Sequence, residues 1–107
     1  MNTNVENAMN HLIASVKESE IYQEYWKQLE RVKQFPELKA QIDEFRARNY
    51  QLQTSRDNAL DKIYQFEREY EDFRENPLVS DFLAAELGFC RMMQDINSQV
   101  TEAMNFE

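Results

Sequence analysis

From Glu37 to Glu75 the chain contains neither glycine nor proline, and apolar side chains recur through the stretch in steps of three, four or seven. The seam reads Leu38, Ile42, Phe45, Asn49, Leu52, Arg56, Ala59, Ile63, Phe66, Tyr70 and Phe73. Such spacing places one adhesive stripe along a helix. At a rise of about 1.5 Å per residue, one helix over this stretch would be roughly 60 Å long. A rod of that length leaves most of its surface in water, so its stripe needs another element or another chain to cover it. The expectation is an all-α, coiled-coil-like protein that associates with itself as a dimer or tetramer.

The remaining elements follow from local punctuation. Thr3-Asn4-Val5-Glu6 has capping-box spacing and opens a first helix, whose apolar face is Val5, Ala8, Met9, Leu12, Ile13 and Val16. Ser19 suits an N-cap for a second helix carrying Tyr22, Tyr25, Trp26, Leu29 and Val32 on one side. Phe35-Pro36 and Asn76-Pro77 each end one helix and start the next, because proline restrains the residue before it and fits the first helical turn. One domain over residues 1–107 is expected, with helices at about 4–17, 20–34, 37–75 and 77–104. Two short N-terminal helices would precede a long antiparallel helical hairpin.

The last helix carries a seam of Val79, Phe82, Leu83, Glu86, Phe89, Cys90, Met93, Ile96, Asn97, Val100 and Met104. A short connection makes antiparallel neighbours the default. Folding back at residues 76 and 77 would set Phe82 near Glu71, Phe89 near Tyr64, Met93 near Leu60, Glu86 near Arg68 and Asn97 opposite Arg56. Polar groups on a seam are costly unless paired, and they fix register. Phe45, Leu52, Arg56, Phe66, Phe82, Glu86, Phe89 and Asn97 are therefore the expected structural and interface positions. Gly88, mid-helix, would allow a close crossing or simply be tolerated.

Chemistry is sparse. Twelve basic against twenty acidic residues give a net charge of −8, which repels a phosphate backbone and argues against direct nucleic-acid binding. The acidic segment Glu67 to Glu75 reads as a solvated face. No apolar run reaches the roughly 20 residues of a membrane span, and the N-terminus lacks signal-peptide order, so a cytoplasmic protein is expected. His11 is the one histidine and has no ligand-spaced companion. Cys90 is the one cysteine and reads as a small buried hydrophobe. No triad, phosphate loop, HExxH or CxxC spacing occurs, so neither catalysis nor a metal or cofactor is expected.

Several stretches resemble the YlbF/YmcA family of small helical bacterial proteins. They are Ser19-Glu20-Ile21-Tyr22, Pro36-Glu37-Leu38 with Phe45-Arg46, Asn76-Pro77-Leu78-Val79 with Phe82-Leu83 and Glu86, and Asp95-Ile96-Asn97. The resemblance implies a non-enzymatic, self-associating regulator that acts through protein partners in competence, sporulation, biofilm formation or RNase Y-associated RNA processing. Some members are linked to an iron–sulfur cluster through several cysteines; with Cys90 alone, no cluster is expected in this chain. The alternative class is a structural or chaperone-like coiled coil that holds client proteins.

Overall fold

The computed structural model describes residues 2–54 and 60–105, which form six α-helices and no strand. They are α1 (Thr3–Glu18), α2 (Glu20–Lys33), α3 (Pro36–Thr54), α4 (Leu60–Glu69), α5 (Glu71–Glu75) and α6 (Pro77–Ala103). The all-α class is as the sequence implies.

Local chemistry explains where the helices start. Ser19 closes α1 and opens α2 at once: its Oγ donates to the Val16 carbonyl at 2.6 Å and accepts from the Tyr22 N–H at 3.2 Å. Asn76 Oδ1 accepts from the Leu78 N–H at 3.0 Å, with Pro77 in the first turn of α6, the expected arrangement. At the N-terminus the cap sits one residue earlier than the capping box implies, because Asn2 Oδ1 accepts from the Asn4 N–H at 2.8 Å.

The long helix over residues 37–75 is not one rod. Phe45 and Phe66 stack with ring centroids 5.4 Å apart, whereas in a straight helix residues 21 apart would be separated by about 32 Å. Arg48 on α3 also donates from both guanidinium nitrogens to Glu69 on α4, at 2.6 and 2.9 Å. Helices α3 and α4 thus lie side by side and share the two halves of the predicted seam. Tyr70, at φ −104° and ψ 10°, marks a further break between α4 and α5.

The hairpin partner also differs from expectation. Helix α6 packs chiefly on α2: Tyr25 stacks on Phe89 at 5.2 Å and 18°, Tyr22 approaches Phe89 at 5.6 Å, and Tyr25 approaches Phe82 at 6.0 Å. The pairings of Phe89 with Tyr64 and Met93 with Leu60 do not form, since Tyr64, Leu60 and Met93 are all exposed. Helix α2 competes better for α6 because Tyr22, Tyr25, Leu29 and Val32 present a continuous apolar face at helical spacing. The proposed Arg56–Asn97 pair involves a residue outside the described ones; Asn97 itself is exposed.

The core sits where α2, α3 and α6 meet. Val32, Ile42, Val79 and Phe82 are completely buried there, with Leu29 beside them and Tyr25, Leu38, Phe73 and Leu83 packed around. A polar chain runs along the edge of the same junction. Gln28, buried, donates to Glu24 and accepts from Arg31 at 2.7 and 2.8 Å, and Arg31 reaches Asp81 on α6 at 3.3 Å. The described chain measures 49 × 38 × 19 Å, with a radius of gyration of 17.7 Å. A compact domain of this length would have about 13 Å, so the helices form a thin slab rather than a closed globule.

Two substitutions test this packing. Phe82→Ala should lower unfolding free energy in urea by about 3–5 kcal/mol, by lost transfer energy and the cavity left behind. Gly88→Ala should raise it by about 1 kcal/mol, because an added Cβ meets nothing within 4 Å and the glycine entropy cost is removed. A destabilised Gly88→Ala variant would instead point to a close crossing at that position.

Candidate partner-binding cleft

The α3–α4 pair and α6 leave a cleft of about 600 Å³ between them. Its apolar wall comes from Phe45, Leu52, Ile63 and Phe66 on the pair, and Leu83 and Leu87 on α6. Charged groups rim it: Arg46, Glu67, Arg74 and Glu86. Exposed Cys90 also lines the cleft, so it is not the buried hydrophobe its seam position suggests.

Of the residues singled out from sequence, Phe45, Leu52, Phe66 and Glu86 come together here. Phe82 is instead a core residue and Phe89 faces α2, both about a quarter of a turn or more around α6 from the middle of the cleft lining. Asn97 lies on the exposed C-terminal part of α6, and Arg56 falls outside the described residues.

Glu86 does have a cationic partner, but it is Arg46 rather than Arg68. Arg46 Nη1 donates to Glu86 while Nη2 donates to Asp43 at 2.7 Å, and its guanidinium lies 5.8 Å from the Phe82 ring centre. Burial of the Arg46 head works to lower its pKa, yet the Glu86 charge and the hydrogen bonds to Asp43 and Glu86 outweigh it and hold the pKa above the ordinary value. A partly buried guanidinium bonded to two carboxylates stands as a post at the mouth of the cleft. Asp43 is lowered, first by the hydrogen bond from Lys39 at 2.7 Å and further by Arg46.

A second post stands across the α3–α4 pair. Besides gripping Glu69, Arg48 donates to the Tyr70 hydroxyl at 2.9 Å and lies over the Tyr70 ring at 5.1 Å. The guanidinium beside Glu69 holds that carboxyl below the ordinary glutamate value. Arg74, over the Phe45 ring at 6.0 Å, completes the cationic rim. Sequence reasoning assigned no role to Arg46, Arg48 or Arg74. Each left only the common local signal of an acid three or four residues earlier on its helix, Asp43, Glu44 and Glu71.

A second surface has a different character. No residue of α1 is buried, and its apolar face, Val5, Met9, Leu12 and Ile13, is 40–53% exposed. On α6, Met93 and Val100 are likewise exposed, as is Met104 at its C-cap, and between the two helices Leu12, Ile13, Val16, Phe89, Met93 and Ile96 line a groove of about 220 Å³. His11 is exposed as well. Among the described residues no three His, Cys, Asp or Glu side chains gather as a metal site, and no helix is long and apolar enough to cross a membrane.

Fold and surfaces together define a small all-helical protein with apolar grooves between its helices and arginine–carboxylate pairs at their rims. The chain belongs to the YlbF/YmcA family, described as control of the competence regulator ComK, whose model matches residues 5–105. It is also similar to a protein of Caldicellulosiruptor bescii described as a UPF0342 protein, with 21% identity over 97% of this chain and 91% of the relative. No solved structure matches it.

The lowered Glu69 carboxyl sets a pH dependence. Stability from a depressed carboxyl is present above about pH 4.5, the ordinary value, and is lost as pH falls from there through the lowered folded-state value. Glu69→Gln should therefore melt below wild type at neutral pH, and the two should converge at a pH below the lowered folded-state value. Parallel melting curves down to that pH would show that the Arg48–Glu69 pair contributes nothing.

Proposed function

We propose that this chain is a non-enzymatic regulatory adaptor that works as a homo-oligomer and receives a protein partner in the cleft between α3–α4 and α6. The family match over residues 5–105 carries the reading, since it covers nearly the whole helical unit and the family is described by control of a regulator. Geometry supports the mechanism: the cleft joins an apolar floor to charged rims, the anatomy of a surface that takes an amphipathic segment of another protein. Competence control comes from the family description; sporulation, biofilm formation and RNase Y-associated RNA processing come from the resemblance to its members.

Net charge shapes the partner. At −8 the chain disfavours direct nucleic-acid contact, so a role in RNA processing would run through a protein. Arg74 at the rim suits an acidic side chain flanking an apolar anchor, whereas Arg46 is already engaged by Asp43 and Glu86.

The exposed apolar face of α1 favours one other reading, a holdase that shields unfolded clients. The two part on specificity. Deleting the gene in the encoding cell should change the level of its competence regulator, and Leu87→Glu, half exposed in the cleft, should fail to restore it while keeping wild-type circular dichroism. Full rescue by Leu87→Glu would remove the cleft from the mechanism. Suppression of aggregation of unrelated proteins, with no effect of deletion on the regulator, would favour the holdase.

A further inference from the structure

Helix α1 spends sixteen residues without burying one of them. An isolated amphipathic helix of this length is marginal in water, and its stability ordinarily comes from packing of its apolar face. That face is open, and so is the matching face of α6 beyond Phe89. Seven large apolar side chains, Val5, Met9, Leu12, Ile13, Met93, Val100 and Met104, are between 40% and 65% exposed. Together they leave on the order of 600 Å² uncovered, at the upper end for patches on a monomer and near the ~800 Å² per partner of a stable interface.

The charge pattern says what covers this face. Charged residues make up 30% of the chain, but residues 2–16 contain only Glu6 and residues 92–101 only Asp95. A chain of net charge −8 repels its own copies everywhere except where charge is thinned, and depletion of charge is the compositional mark of an interface centre. The uncovered part of the fold has matched dimensions. Helix α1 is about 24 Å long and the part of α6 beyond Phe89 about 21 Å, and the two flank the 220 Å³ groove.

We propose that the α1–α6 face is the seat of a second copy of this chain, the two copies laying α1 and the C-terminal half of α6 against each other as a four-helix bundle about a two-fold axis. Each copy contributes two helices open on one side, and such pairs close most simply by self-complementary packing. The inference deepens the homo-oligomer in the function proposed above by locating its interface. It leaves the cleft, lined by Leu87 on another part of α6, free for a different partner.

The test uses the full chain in sedimentation and light scattering across a concentration series, with hydrogen exchange on α1. The variants are Ile13→Glu with Val100→Glu, and Leu87→Glu as the cleft control. Wild type and Leu87→Glu should both run at twice the chain mass, and the double variant at the chain mass, a two-fold drop. Because α1 buries nothing in the single chain, the double variant should retain the α2–α6 core, read as a cooperative melt. Amide protection of α1 should be high in wild type and lost in the double variant. A larger wild-type assembly that the double variant splits would also support the face. A monomeric wild type, a dimer that survives the double substitution, or dissociation by Leu87→Glu alone would each overturn it. A monomeric wild type would also remove the homo-oligomer from the function proposed above, whereas a dimer that survives the double substitution would overturn this face alone and leave the cleft reading to its own rescue test.

Discussion

The stacking of Tyr25 on Phe89, with Phe82 buried about two helical turns away, is the contact on which the rest of the structure depends. It holds α6 against α2, and the Val32–Ile42–Val79–Phe82 junction then fixes α3 beside them. Aromatic side chains bury large areas with few rotamers to freeze, so one face of α2 outcompetes the longer but more interrupted seam of α3–α4 for α6. Once α6 is taken, the α3–α4 stretch has to cover its own apolar residues. It does so by bringing Phe45, Phe66, Tyr70 and Phe73 into one aromatic cluster.

This division creates the surfaces. With α6 turned toward α2, its other side and the α3–α4 pair stand apart as the two walls of the cleft, with Arg46 held between Asp43 and Glu86 at its mouth. Past Phe89, α6 faces Tyr22 near the start of α2 and the flank of α1 across a shallow groove. The thin slab and its radius of gyration of 17.7 Å are the physical record of a chain that has spent its apolar faces on two separate small clusters and left a third uncovered.

Much of the secondary structure and part of the cleft were legible from sequence. Phe45, Leu52, Phe66 and Glu86 were chosen as seam positions and do share one surface. The break in the long helix was not anticipated, because the reading took the absence of Gly and Pro as continuity. Absence of helix breakers does not make a rod when apolar residues in its two halves, such as Phe45 and Phe66, gain burial by packing on each other. Glu86 was rightly expected to need a cation, but the partner was drawn from the wrong register: Arg68 under a simple fold-back at residues 76 and 77, Arg46 in the structure.

The all-helical class, the helix starts at Ser19, Pro36 and Asn76-Pro77, and the adhesive side of each helix are written locally in the residues. Those properties are set within one or two turns, by caps, by the proline ring and by a 3.6-residue period. Only the tertiary structure decided which adhesive sides meet. Periodicity is the same for every apolar face, so nothing local distinguishes a stripe bound for α2 from one bound for α4; that choice rests on shape and area compared across the whole chain. The Tyr25–Phe89 stack, the Arg48–Glu69 pair and the unclaimed face of α1 are all outcomes of that comparison.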